Sequence, residues 1–101
     1  MPEVSVIIPV YNNEKYVEEC VRSVQNQTFE DLEILVINDG STDGSGEILE
    51  RLLREDRRLR LFHQKNKGAG AARNKGLDTA SGRYLVFVDG DDWIAPDYIE
   101  K

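Results

Sequence analysis

The residues best equipped for chemistry are the carboxylates of Asp89-Gly90-Asp91-Asp92, which follow directly on the apolar run Tyr84-Leu85-Val86-Phe87-Val88. Three aspartates packed so closely repel one another and lose hydration. A divalent cation among them relieves both costs, and hard carboxylate oxygens suit Mg²⁺ or Mn²⁺, with Asp91 and Asp92 as the candidate ligands. The competing interpretation is a solvated Asp-Gly turn. Two other apolar runs also end in polar groups. Residues 4–8 lead into Pro9-Val10-Tyr11-Asn12-Asn13, and residues 32–37 lead into Asn38-Asp39-Gly40-Ser41.

Elements that could gather these groups alternate along the chain. Residues 4–8 are a β-branched strand closed by Pro9. A helix is expected from about Asn13, with Asn12 or Asn13 accepting from its first free amides. Val17, Cys20, Val21 and Val24 form one apolar stripe of that helix, and Cys20 is expected to pack within it. Residues 32–37 predict a second strand, and Ser41, Thr42 and Asp43 are helix-start residues before the stripe Ile48, Leu49, Leu52 and Leu53. Residues 59–62 are a short third strand. Lys67 to Asn74 opens a third helix through small residues, ending near Gly82. Residues 84–88 are a fourth strand, expected to be buried on both faces, and Pro96 is expected to start a last helix. Such alternation predicts an α/β fold with a mainly parallel sheet and right-handed crossovers. In that arrangement the three polar strand ends point the same way and meet at one crevice.

Bulk properties exclude several classes. With 101 residues the chain is one domain or part of one, and its net charge of −6 argues against a nucleic-acid partner, which needs a basic stripe. A single cysteine cannot form an internal disulfide. No stretch approaches a membrane span or a signal peptide, so a cytoplasmic chain is the expectation. The charged run from Arg51 to Arg60 is simplest as a solvated helix face and turn. Gly68-Ala69-Gly70-Ala71-Ala72-Arg73 is not a dinucleotide fingerprint, because Arg73 stands where the third glycine belongs and the run opens the third helix instead of the first.

Four stretches together resemble the nucleotide-sugar-binding half of the family 2 glycosyltransferases, which have the GT-A fold. They are Ser5-Val6-Ile7-Ile8-Pro9-Val10-Tyr11-Asn12, Asn38-Asp39-Gly40-Ser41-Thr42-Asp43, Gly70-Ala71-Ala72-Arg73-Asn74 and Phe87-Val88-Asp89-Gly90-Asp91-Asp92. The resemblance covers the whole chain. It implies a Rossmann-like three-layer sandwich with four strands in the order 3-2-1-4, and a donor that is a nucleoside-diphosphate sugar, a UDP-sugar foremost. It implies that Pro9, Val10 and Tyr11 wall the base and ribose, and that Asp39 accepts from a base N–H. Arg73 reaches the diphosphate through its planar fork, with Lys67 adding charge nearby. One carboxylate of the Asp89-Gly90-Asp91 pair meets the ribose, another holds Mn²⁺ or Mg²⁺, and Gly90 lets the backbone come close. Whether Asp91 or Asp92 is the main metal ligand stays open, as does whether Trp93 lines the pocket or plugs the core.

The resemblance also implies an acceptor, a glycan or other hydroxyl compound, and a carboxylate base that takes its proton during inversion. No candidate base is found in this chain, so it is expected beyond Lys101, and residues 1–101 are expected to be the donor-binding part of a truncated catalytic domain whose parent enzyme could be membrane-associated. Two alternatives compete: a non-catalytic nucleotide-binding or interaction module of the same fold, and a haloacid-dehalogenase-type phosphatase. The phosphatase motif normally closes the first strand, whereas here it closes the fourth. With the order 3-2-1-4 the fourth strand is an apolar edge, expected to pair with a second copy in a two-fold dimer.

Overall fold

Strands and helices alternate as β1 (Val4–Val10), α1 (Val17–Gln25), β2 (Leu32–Asp39), α2 (Ser45–Leu53), β3 (Leu59–Gln64), α3 (Ala69–Thr79) and β4 (Tyr84–Phe87) in the computed structural model, which describes residues 2–99. The four strands form one parallel sheet in the order β3-β2-β1-β4. Its two faces are set by the alternation of side chains along each strand. Val4, Val6, Ile8 and Val10 of β1 and Leu32, Ile34 and Val36 of β2 join Val17, Cys20, Val21 and Val24 of α1 and Leu49 and Leu52 of α2 in the larger core cluster. Ile7, Leu35 and Ile37 pack with Ala72 of α3 on the other face. Burying one such Val, Leu or Ile side chain stabilises the fold by roughly 1.5–3 kcal/mol, which is why these stripes fix the helices on the sheet.

Pro9 is inside β1, one register step from its end, where it pairs with Ile37. Its missing N–H faces β4, and β4 pairs with β1 only as far as Ile7. Val88 N still donates to the Ile7 carbonyl and Gly90 N to the Pro9 carbonyl at 3.2 Å, so the proline removes the one donor between those two bonds and ends the pairing of β4 with β1.

Four expectations need correction. Helix α1 begins at Val17, not near Asn13, and neither asparagine caps it by its side chain. The Asn13 carbonyl instead accepts from Tyr16 and Val17 N, both at 2.8 Å. Strand β4 is not buried on both faces: Leu85 is 45% and Phe87 44% exposed, because α3 lies over β1 and β2 and leaves the outer strand bare. Its other face does pack, through Val86 and Val88, and Ile94 and Ile99 fold back onto the same cluster. Residues 96–99 form turns, so the helix expected at Pro96 is absent among the described residues. Trp93 neither plugs the core nor lines the cleft described below, standing 65% exposed. The charged residues from Arg51 to Arg60 are largely the solvated surface expected, with Arg51 and Glu55 paired to Glu18 and Arg22 of α1; Asp56 and Arg58 are exceptions, partly buried as a pair, with Arg58 also donating to the carbonyls of Gln25 and Glu30.

Close approach of α3 to the sheet depends on Gly76, where an added Cβ would fall 2.4 Å from Ile7 Cγ2. Gly76→Ala should lower the urea midpoint by an overpacking cost of about 1–3 kcal/mol, despite the gain in helix propensity. Ile7→Ala in the same chain should make that alanine tolerable, giving a double variant less unstable than the two single losses summed. A neutral Gly76→Ala would show that α3 does not sit this close.

Candidate functional site

The carboxyl ends of β1, β2 and β4 open onto one cleft of about 400 Å³, lined by Pro9, Val10, Tyr11, Asn13, Asp39, Asn66, Gly68, Ala69, Ala72, Arg73, Asp89, Gly90 and Asp91. The crossover through α3 carries the chain from one edge of the sheet to the other, so the cleft lies where the direction of winding reverses. Every expected nucleotide-site residue lies on its wall, as does Asp91. Asp92 is not on the wall, but its carboxylate, with those of Asp89 and Asp91, offers oxygens within 4.8 Å of one another. That spacing and an all-oxygen donor set fit Mg²⁺ or Mn²⁺.

Asp39 is almost wholly buried, and both its carboxylate oxygens are bonded to the end of β3 and the segment before α3. Oδ1 accepts from Gln64 Nε2 at 2.9 Å and from Lys67 N at 2.8 Å, and Oδ2 accepts from Gly68 N at 2.9 Å. Burial alone would raise this carboxyl, but those hydrogen bonds and the Lys67 charge outweigh it and hold it below the ordinary value. Lys67 thus acts through its backbone amide and charge on Asp39, and it is not on the cleft wall. Tyr11 is exposed toward the cleft, and its backbone is fixed by Tyr11 N donating to Asn13 Oδ1 at 3.0 Å. Asn12 takes a left-handed conformation, φ +51°, and its Oδ1 accepts from Thr42 N at 2.8 Å and Asp43 N at 3.3 Å. The loops after β1 and β2 are thereby tied together.

Arg73, in the second turn of α3, pairs with Asp89 at 3.8 Å, both side chains about half exposed. Gly90 is buried, and an added Cβ would meet Asn13 Oδ1 at 2.6 Å and the Pro9 carbonyl at 3.1 Å. Its lack of a side chain lets the first loop close against the acidic turn. Behind the turn, Cys20 packs as expected and its Sγ–H donates to the Asp89 carbonyl at 3.3 Å. Burial, then the charges of Asp92, Asp91 and Asp89, push its thiol up to about 12, so it is no nucleophile.

Residues 5–101 match the family model described as Glycosyl transferase family 2. The chain belongs to that family. It is 50% identical over 98 residues to the glycosyltransferase GlyA of Streptococcus pneumoniae, covering 97% of this chain and 14% of GlyA. Its fold matches TarS of S. aureus, solved in complex with UDP-GlcNAc, with a TM-score of 0.89 and 36% identity over 97% of this chain and 29% of that one. It also matches the mannosyltransferase PcManGT from Pyrobaculum calidifontis, solved with GDP-Man and Mn²⁺, at a TM-score of 0.84 and 30% identity over 91% of this chain and 28% of that one. The chain thus spans less than a third of each. Layers and strand order are those of the GT-A glycosyltransferases.

In this family 2 chain the small residues opening α3 have a visible use: Gly68, Ala69 and Ala72 form cleft wall beside the helix N-terminus. Asn13 was expected at the crevice as the end of the first polar loop, with no role beyond capping; Asn66 was not anticipated on that wall and offered no signal.

At the opposite end of the sheet Glu33 is also buried, and its Oε2 accepts from Ser5 Oγ at 2.5 Å, Ser81 N at 2.6 Å and Ser81 Oγ at 2.9 Å. Burial would raise Glu33, but these bonds and Arg60 bring it below its usual value. Both Asp39 and Glu33 therefore favour the folded chain when ionised. Their contribution is complete above the unfolded carboxyl values near pH 4 and is lost as pH falls below them. The urea midpoint should drop on acidification from about pH 5 to about pH 3, and Asp39→Asn should be less stable at neutral pH with a shallower acid limb. An Asp39→Asn profile parallel to the parent would remove Asp39 from the acid transition.

Proposed function

We propose that residues 1–101 bind the donor for a glycosyltransferase that moves a sugar from a nucleoside-diphosphate sugar, a UDP-sugar foremost, to an acceptor hydroxyl with inversion. The observation that carries this reading is a single cleft holding a buried ionised acceptor, an exposed tyrosine, an arginine and an acidic turn. TarS, solved with UDP-GlcNAc, and PcManGT, solved with GDP-Man and Mn²⁺, support it.

The carboxylate of Asp39 has about four lone-pair sites, and three hold the neighbouring loop. The remaining one accepts the ring imino N–H of uracil or guanine. Cytosine has no such proton and is disfavoured. Pro9, Val10 and Tyr11 pack against base and ribose, with the Tyr11 ring supplying flat area. Asp89 takes the ribose hydroxyls, and Arg73 turns from Asp89 to the diphosphate, where its fork meets two oxygens. Asp91, on the cleft wall, is the main ligand for Mn²⁺ or Mg²⁺, with Asp92 in support. The ion supplies charge neutralisation to the departing nucleoside diphosphate. By the family resemblance, the acceptor's proton goes to a carboxylate that lies outside residues 1–101.

Calorimetry with UDP tests the site. Affinity should require Mn²⁺ or Mg²⁺ and vanish with chelator. Asp91→Asn should cost more than the roughly 10–100-fold that loss of a supporting partner costs, and Asp92→Asn should fall within that range. UDP affinity that ignores chelator and both substitutions would leave the acidic turn as a solvated loop.

Base choice gives an independent measurement. UDP and GDP should bind better than CDP, by the roughly tenfold or more that an unpaired buried polar group costs, and Asp39→Ala should flatten the difference. Preference for CDP would contradict the role given to Asp39.

A further inference from the structure

Past β4 the sheet gives the acidic turn little support: Val88 N and Gly90 N donate to the carbonyls of Ile7 and Pro9, and there the ladder stops. Besides the packing of Ile94 and Ile99 on the core cluster, a polar edge of α1 and the residues just beyond it hold the following segment. Cys20 Sγ–H donates to the Asp89 carbonyl at 3.3 Å. Ser23 Oγ accepts from Ile94 N at 3.2 Å while donating to the Cys20 carbonyl at 2.6 Å. Gln27 Nε2 donates to the Ser23 carbonyl at 3.0 Å and to the Ala95 carbonyl at 2.7 Å, and its Oε1 accepts from Ile99 N at 3.0 Å. Thr28 N adds a bond to the Pro96 carbonyl at 2.8 Å. Positions 20, 23 and 27 follow helical spacing, so one edge of α1 runs alongside the strap from Asp89 to Ile99.

Gln27 is the centre of this arrangement. It is 4% exposed, and both ends of its amide are used. The carbonyls at 23 and 95 only accept and the Ile99 amide only donates, so the side chain has a single satisfactory orientation. A buried amide bonded to two separate segments fixes their relative position in a way an apolar side chain of equal size cannot.

We propose that Gln27, with Ser23 and Cys20, is a positioning residue for the acidic turn: by strapping residues 94–99 to α1 it sets where Asp89, Asp91 and Asp92 stand over the cleft. The inference rests on the reading of that turn as the metal and diphosphate site. Gln27 touches neither and acts through the chain that carries the acids.

The test is Gln27→Met, similar in length but without the bonds, alongside Ser23→Ala, which removes the acceptor for Ile94 together with the hydroxyl's own bond to the Cys20 carbonyl. Amide exchange and calorimetry with UDP and Mn²⁺ are the readouts. In Gln27→Met, exchange at Ile94 and Ile99 should rise at least tenfold while β1 and β2 amides keep their protection. UDP affinity in Mn²⁺ should fall about 10–100-fold, the range for a lost supporting partner, with Ser23→Ala in between. Unchanged exchange, or loosened exchange with unchanged UDP affinity, would overturn the positioning role. If Gln27→Met does not fold, Ser23→Ala is judged on both readouts by the same criteria. A parent chain that binds no UDP with Mn²⁺ would overturn the site reading and this role with it. A parent that binds, beside an unaffected Gln27→Met, overturns this role alone.

Discussion

Parity along the strands governs the cleft. Ser5, Ile7 and Pro9 of β1 share a face with Glu33, Leu35, Ile37 and Asp39 of β2, and the pairing sets Ser5 beside Glu33, Ile7 beside Leu35 and Pro9 beside Ile37. Because Ile7, Leu35 and Ile37 must be buried under α3, Asp39 is forced onto that face too, two residues beyond the last apolar position. Gln64 of β3 pairs with Asp39 in register and so supplies one of its hydrogen bonds. A slip of one residue in β2 would bury Asn38 in this place and turn Asp39 toward α1 and α2. The core's apolar pattern, which knows nothing of ligands, therefore fixes which side of the sheet the cleft occupies.

The same face is polar at both ends and apolar between them. Glu33 closes the bottom by joining β2 to Ser5 of β1 and Ser81 before β4, and Asp39 closes the top by joining β2 to the segment opening α3. Each buried carboxylate is tolerable only because several N–H and O–H donors converge on it. The two acids pin both ends of the connection that runs over this face, so α3 is held at its N-terminus by one and just past its C-terminus by the other. The cleft wall formed by Ala69, Ala72 and Arg73 owes its placement to these bonds as much as to the contact of Gly76 with Ile7.

How much of this could be read from the sequence follows from the range over which each cause acts. The stripe Val17, Cys20, Val21 and Val24, the alternation of elements and the three polar strand ends are local patterns, and they lie where they were expected. The GT-A strand order came through the resemblance of four motifs, since periodicity carries no information on order. What escaped depends on contacts distant along the chain. Exposure of Leu85 and Phe87 reflects which strands α3 happens to cover, and an apolar run looks alike whether one face or two are buried. Asn13 has the residue type of a helix cap but spends its side chain on Tyr11 N, because the chain turns once more before α1 begins. Gln27 gave no signal by type. Its spacing from Cys20 and Ser23, beside the apolar stripe, was the available clue to a second, polar contact edge on α1.

The two ends of the cleft differ in how they meet a ligand. Asp39 is buried and fixed by three hydrogen bonds, so on the proposed reading a base would meet a carboxylate already in place, at little ordering cost. The acidic turn is different in kind. Its three carboxylates are exposed, and Arg73 beside them is 3.8 Å from Asp89 in a half-exposed pair that contributes little on its own. A weak pair is readily exchanged for a phosphate, and under the proposed function a cation would relieve the mutual repulsion of Asp89, Asp91 and Asp92. On the same reading, diphosphate and metal would favour each other's binding, the ion offsetting the repulsion between the acids and the phosphates. Such coupling favours a turn held in place before either arrives, and with the sheet ladder ended at Gly90, restraint comes from the loop after β1, from α1 and the residues just beyond it, and from the packing of Ile94 and Ile99 on the core.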